Sequence, residues 1–274
     1  MAAMDVTIAE RLIRKDRAIM AAGLVLLSVL AWGWVLAGAG TGMSTIAMTT
    51  WVFPPAAAPG ITAAWDAGYW AIMLAMWWVM MIAMMTPSAA PMILLYARVA
   101  RRAQTKGQLP PGVLPTAVFL AGYLAIWLIF SAVATLAQWL LEQTGLVHQM
   151  LMWSTNATLT ALLLIAAGLY QLTPLKAACL EHCRSPMEFL SRSWQEGRSG
   201  TFRMGISHGA WCVGCCWAMM ALLFAGGVMN LVWIAGLAIA VLAEKLAPWG
   251  ARFASVLGLA MTVTGAWLLA QHQL

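Results

Sequence analysis

The feature that most constrains this chain is an alternation: long apolar runs are joined by connections of which only every second one carries positive charge. A helix needs about 20 apolar residues to cross a hydrocarbon core of roughly 30 Å. Seven such runs are legible, at about 18–39, 67–97, 113–141, 151–172, 205–226, 229–247 and 252–271. All fifteen Lys and Arg residues fall in four groups. Arg11, Arg14, Lys15 and Arg17 precede the first run, and Arg98, Arg101, Arg102 and Lys106 follow the second. Lys176, Arg184, Arg192, Arg198 and Arg203 lie between the fourth and fifth, and Lys245 and Arg252 between the sixth and seventh. The connections 40–66, 142–150 and 227–228 carry none. With seven spans every positive charge lies on one face, which the positive-inside rule makes the cytoplasm. The expectation is an all-α, polytopic membrane helix bundle forming a single integral membrane domain over residues 1–274. Its N-terminus is cytoplasmic, its C-terminus external, and residues 173–204 form a cytoplasmic loop.

Composition supports that class and excludes others. Hydrophobic residues make up 63% of the chain and charged residues 9%, against ~25% charged in soluble domains. The net charge of +6 does not indicate a nucleic-acid partner, because there is no polar surface on which a basic patch could lie. The lipid bilayer is the expected partner. Arg11 to Arg17 lead into an uncleaved span, and five cysteines is an odd number, so no disulfide framework is expected.

The connections carry local signals. Gly40 to Asp66, with PPAAAPG at Pro54 to Gly60, reads as an irregular external segment with an interfacial stretch at Trp51 to Phe53. Ser185-Pro186-Met187-Glu188 has the pattern of a capping box opening a short surface helix, with Met187, Leu190 and Trp194 on its apolar side. Asp66, Glu142 and His148 read as external surface residues. Glu244 is costly at its depth unless paired. Pairing with Lys245, or snorkelling, is one account of it, and a supporting role beside the cysteines is the other.

The five cysteines fall in two motifs, CLEHC at Cys179 to Cys183 and HGAWCVGCC at His208 to Cys216. At 100° per residue, His208, Cys212, Cys215, Cys216 and Met219 share about one third of a helix circumference. One buried cysteine is commonly a small hydrophobe, but three in five positions, one turn after a histidine, point to ligation. In a helix Cys179 and Cys183 also share a face, with His182 beside it. Both motifs lie at the cytoplasmic face, where thiols stay reduced and clusters signal metal or redox chemistry. The second span adds a methionine stripe of Met73, Met76, Met80 and Met84, with Met81 and Met85 alongside. Pro87 and Pro91 are expected to kink the helix where the stripe ends. The candidate ligands are therefore Cys179, His182, Cys183, His208, Cys212, Cys215, Cys216, Met80, Met84 and Met85, with Glu244 in support. Thiolate, thioether and imidazole donors favour Cu(I), and a closed zinc site of Cys179, Cys183, Cys212 and Cys215 or Cys216 is the alternative.

The motifs MMxPSAAPM (Met84 to Met92), HCRSP (His182 to Pro186), GxxHGxxCxGCCWxxM (Gly205 to Met220) and GGVMN (Gly226 to Asn230), with the Glu244-Lys245 pair, resemble those of the bacterial domain of unknown function 2182 family of predicted metal-binding integral membrane proteins. The resemblance implies a metal-binding helical membrane protein of the bacterial inner membrane. It marks Met84, Met85, Pro87, Cys183, His208, Cys212, Cys215 and Cys216. Three functions fit the residues. The first is Cu(I) handling or delivery, with a metallochaperone or membrane enzyme as partner. The second is a metal-dependent oxidoreductase working on quinone or thiol, and the third a structural zinc site in a scaffold subunit.

Overall fold

The computed structural model describes residues 2–55, 64–109 and 114–273, and most of the Pro54 to Gly60 run and the side chains of Arg11, Arg14, Lys15 and Arg17 lie outside the described residues. The described residues form ten helices and no strand. They are α1 (Ala2–Leu36), α2 (Ala67–Thr105), α3 (Leu114–Gln143), α4 (Ala157–Gln171), α5 (Pro174–Arg184), α6 (Pro186–Ser193), α7 (Gly197–Ala221), α8 (Leu223–Gly226), α9 (Leu231–Leu246) and α10 (Gly250–Gln273). Among the described residues the fold is all-helical, and five helices are long and apolar enough to cross a membrane: α1, from Ala18 onward, α2, α3, α7 with its continuation, and α10. The pair α4 and α5, bent by 65°, makes a sixth when taken as one broken span. At 16 residues, α9 is about 24 Å long, shorter than the run of 229–247 expected from sequence.

Burial sorts the helices into core and periphery. The middle of α2 is apolar on all sides, and Met73, Met76, Trp77, Met80, Met81 and Met85 are fully buried, as expected of a helix with neighbours all round. By contrast, α1 exposes Val25, Leu26, Val29 and Leu30, and α10 exposes Val256, Leu259 and Val263. Water does not tolerate apolar faces of that extent, whereas lipid does. Helices α3 and α7 lie against each other through glycines, since a Cβ at Gly122 would collide with the Phe202 carbonyl and one at Gly205 with that of Phe119. Small residues at such a crossing let two backbones approach, and here they bring Tyr123 of α3 beside Cys212 of α7.

The break between α4 and α5 decides where the first cysteine motif goes. Thr173 precedes Pro174 and is held extended at φ −76° and ψ 148°, because proline disfavours helical geometry in the residue before it. Its side chain caps α5 through the Lys176 amide, at 3.2 Å. The chain turns there and lays α5 against α7 and α9. The stretch read as a loop over 173–204 is thus largely helical. In α6 the capping-box hydrogen bond is not made, and Glu188 pairs instead with the exposed Arg192 at 3.0 Å. Phe189 and Leu190 are its buried face, while Met187 points outward. Helix α2 runs unbroken through Pro87 and Pro91 to Thr105.

Candidate metal centre

The centre is assembled from α2, α5 and α7. On α7 the helical period turns His208, Cys212, Cys215, Cys216 and Met219 inward, and all five are buried. The Cys215 and Cys216 thiols donate to the Cys212 carbonyl at 3.1 and 3.0 Å. From α5, Cys183 reaches across so that its Sγ lies 3.9 Å from Cys215 Sγ. From α2, Met85 places its Sδ 3.9 Å from Cys216 Sγ. Cys179, also buried, sits against Gly214, where a Cβ would approach its Sγ to 3.1 Å. The glycine in VGCC thus leaves room for the second α5 thiol. All five cysteines are free thiols.

Two lysines serve this cluster. Lys245 of α9 is buried, and its ammonium donates to Cys212 Sγ at 2.9 Å and to Ser88 Oγ at 3.3 Å. An ammonium has donors only, so the sulfur is the acceptor. Tyr123 Oη lies 3.2 Å from the same sulfur and donates to the Met85 carbonyl at 3.3 Å. Lys176 of α5 is buried as well; it pairs with Glu244 at 2.7 Å and donates to the Cys215 carbonyl. Glu244 also accepts from Gln171 Nε2 at 2.5 Å, which reaches Met219 Sδ at 3.2 Å. Arg184 donates to the Glu244 carbonyl at 2.6 Å and to that of Pro248 at 3.3 Å. A cavity of about 200 Å³ opens onto this end, with Cys183, Cys212, His208, Lys245 and Arg184 in its wall.

The sequence expectations fare differently. Cys183 meets Cys215 and Met85 meets Cys216, and Cys212 adjoins both pairs through its carbonyl. His208 lies between the rings of Phe119, Tyr123 and Phe189 and lines the cavity. His182 does not join them. It is exposed, stacked on Trp211 at 4.0 Å and 10°, with Nδ1 2.9 Å from the Ala178 carbonyl, because its side chain leaves α5 away from the thiols. Met80 and Met84 are buried on α2, and among the described residues no thiol donates to either. Glu244 is paired with Lys176 rather than Lys245: adjacent residues on a helix diverge by about 100°, so the two charges face different neighbours. Two surface assignments also change. Glu142 is buried and accepts from Trp65 at 2.9 Å and Gln138 at 2.8 Å. His148 is buried and its Nδ1 accepts from the Met150 and Leu151 amides at 3.2 and 3.1 Å. Asp66 is exposed and caps α2 through the Tyr69 amide at 2.7 Å.

Sequence reading missed Lys176, Gln171 and Tyr123 and took Lys245 as a topology marker. Part of the signal was present: Lys245 falls within the apolar run 229–247, where a charge is expensive and demands a partner, and Lys176 stands one turn before Cys179.

The donor chemistry is soft. Two sulfurs each ~2.3 Å from one ion lie ~4.0 Å apart in a trigonal arrangement and ~3.8 Å apart in a tetrahedral one. The Cys183 to Cys215 separation of 3.9 Å suits a shared ion. Among the described residues no three His, Cys, Asp or Glu side chains converge on one point, so the closed four-thiol zinc arrangement is not formed. Neither a curated protein nor a solved structure gives a significant match to the chain. A family model described as PpoB2, copper chaperone, matches residues 74–268, well over half of the 274 residues and a stretch that contains α3 to α9 and every cysteine and lysine of the cluster. The chain therefore belongs to the PpoB2 copper chaperone family.

Proposed function

We propose that this protein is an integral membrane Cu(I) carrier that holds its ion between Cys183 and Cys215 near the cytoplasmic surface, with Cys216 and Met85 as further soft donors, and hands it to a membrane enzyme. The observation that carries the reading is the approach of Cys183 Sγ on α5 to Cys215 Sγ on α7, 3.9 Å across two separate helices. Soft thiolate and thioether ligands select Cu(I), and a two- or three-coordinate ion needs no closed cage.

A charge balance with Cu(I) is available. Lys176 and Glu244 neutralise each other, which leaves the buried Lys245 to be balanced by sulfur. Before copper arrives, the Cys212 sulfur, as thiolate, balances it. When Cu(I) binds, Cys183 and Cys215 both ionise; one of their protons passes to Cys212 and the other is released, so that two thiolates face the copper and the ammonium and the buried centre is again neutral. One proton is thus released per copper bound. A divalent ion in the same place is balanced only with Cys212 still ionised and two protons released, since buried unbalanced charge is costly, so the proton count separates the two metals.

In this reading the bundle lies in the bacterial inner membrane with seven spans, α4 with α5 forming one and α9 another. The N-terminus is cytoplasmic and the C-terminus external, so that the Lys and Arg groups face the cytoplasm. The buried methionines Met73, Met76, Met80 and Met84 provide neutral, soft donors along α2, away from the thiols. Elemental analysis of anaerobically purified protein, followed by Cu(I) titration against a chromogenic chelator, tests the proposal. The expected result is one tightly held copper per chain, lost in a Cys183→Ser, Cys215→Ser variant. Zinc in place of copper, or copper retained by that variant, overturns it.

A further inference from the structure

The cavity that gives access to the thiols has a wall of unusual charge. Arg184 stands in it with its guanidinium held by two backbone carbonyls, those of Glu244 and Pro248. Gly250, at the start of α10, makes room for that group, since a Cβ there would collide with Arg184 Nη1. Lys245 faces the same space beside a hydroxyl and the Cys212 sulfur, whose thiolate charge balances it in the copper-free site, so that Arg184 is the net positive charge of the wall. Among the described residues the ion pairs are Lys176 with Glu244 and Arg192 with Glu188, so neither wall cation is paired with a carboxylate. His208 adds no negative charge. A bare copper ion approaching here meets repulsion, whereas an anion is drawn in, because fixed charge in a low-dielectric cleft focuses the field.

On the reading that the protein carries Cu(I), we infer that its substrate is a Cu(I) dithiolate anion of low-molecular-weight thiols, steered by Arg184 and received first by Cys183. Cys183 is the partly buried thiol of the cluster and lines the cavity, while Cys215 lies behind it, buried. The transfer is ligand exchange with no change of oxidation state. A Cys183 sulfur–copper bond forms as one donor sulfur–copper bond breaks, and Cys215 then displaces the second donor thiolate. Cys183 and Cys215 both enter as thiols. One proton passes to the Cys212 thiolate and the other leaves on a departing ligand, so the products are one free thiol and one free thiolate, and total charge is conserved. Once the donor ligands have gone, Lys245 remains beside a copper dithiolate of single negative charge.

The test is anaerobic, stopped-flow loading of the full chain in detergent from two probes: the anionic copper(I)–glutathione complex and the cationic tetrakis(acetonitrile)copper(I) ion. The parent protein is expected to load from the anion at a rate that falls as salt rises, through screening. In Arg184→Glu the rate from the anion drops on the order of tenfold while the rate from the cation rises, and Arg184→Lys restores the parent behaviour. Misfolding slows both donors and cannot produce opposite changes. Equal effects on both donors, or none on either, overturn the anionic-substrate inference while copper carriage stands. No Cu(I) uptake from either donor by the parent overturns the carrier reading with it.

Discussion

Lys176 and Lys245 are both buried at the thiol end of the bundle, yet their surroundings differ. Lys176 comes from α5 and meets a carboxylate, Glu244, at 2.7 Å, itself held by Gln171 at 2.5 Å. Lys245, the residue after Glu244, faces the opposite way and meets Cys212 Sγ at 2.9 Å and Ser88 Oγ at 3.3 Å. The first pair is closed: its charges cancel, and the ammonium also ties α5 to the Cys215 carbonyl. The second is open, because on the Cu(I) reading the Cys212 sulfur takes up a proton when a copper dithiolate brings the balancing charge, whereas the carboxylate pair is already closed. The region around Lys176 is thus a structural pin, and on the Cu(I) reading that around Lys245 is where charge is kept for the ion.

This contrast can be broken most forcefully at Glu244. Glu244→Ala strands a buried ammonium and is expected to cost about 3–5 kcal/mol of stability, read by denaturant unfolding in detergent. The double variant Lys176→Met, Glu244→Met should recover most of that loss; a single variant as stable as the parent would show that the pin is not one. Next in size, Lys245→Met should leave stability closer to the parent but weaken Cu(I) binding about 10- to 100-fold, measured by chelator competition. If it unfolds the protein as Glu244→Ala does and leaves affinity alone, the two lysines have the same role. Tyr123→Phe removes one hydroxyl that touches Cys212 Sγ and the Met85 carbonyl, and should cost about 1 kcal/mol, seen as a several-fold loss of affinity. The smallest effect belongs to Arg192→Gln. Its pair with Glu188 is largely exposed, and removing it should change stability by less than about 1 kcal/mol.

The thiols were legible because helical periodicity alone puts Cys212, Cys215 and Cys216 on one face, and the same period lines up the methionines that include Met85. The approach of Cys183 depended on the turn at Thr173-Pro174. That turn is readable in principle from the proline, but its 65° bend is set by packing against α7 and α9. The short length of α9 has a similar local cause: Ala247 precedes Pro248 and is extended, and Asn230 caps the other end through Val232 at 3.1 Å. What the sequence could not convey is partner choice. Lys176 and Lys245 read alike as positive charges beside apolar runs, and only the packing of α5 and α9 assigns one to a carboxylate and the other to a thiol. His182 illustrates the converse, since its motif neighbours are cysteines but its ring is taken by Trp211.

The central claim is that sulfurs from α5 and α7 grip one copper ion. Copper K-edge X-ray absorption on the anaerobically loaded protein tests it most directly. The account predicts two or three sulfur scatterers at thiolate distance in the parent protein and their loss, or replacement by lighter atoms, in Cys183→Ser and in Cys215→Ser alike. A spectrum dominated by nitrogen or oxygen in the parent, or one unchanged when either cysteine is removed, would contradict it.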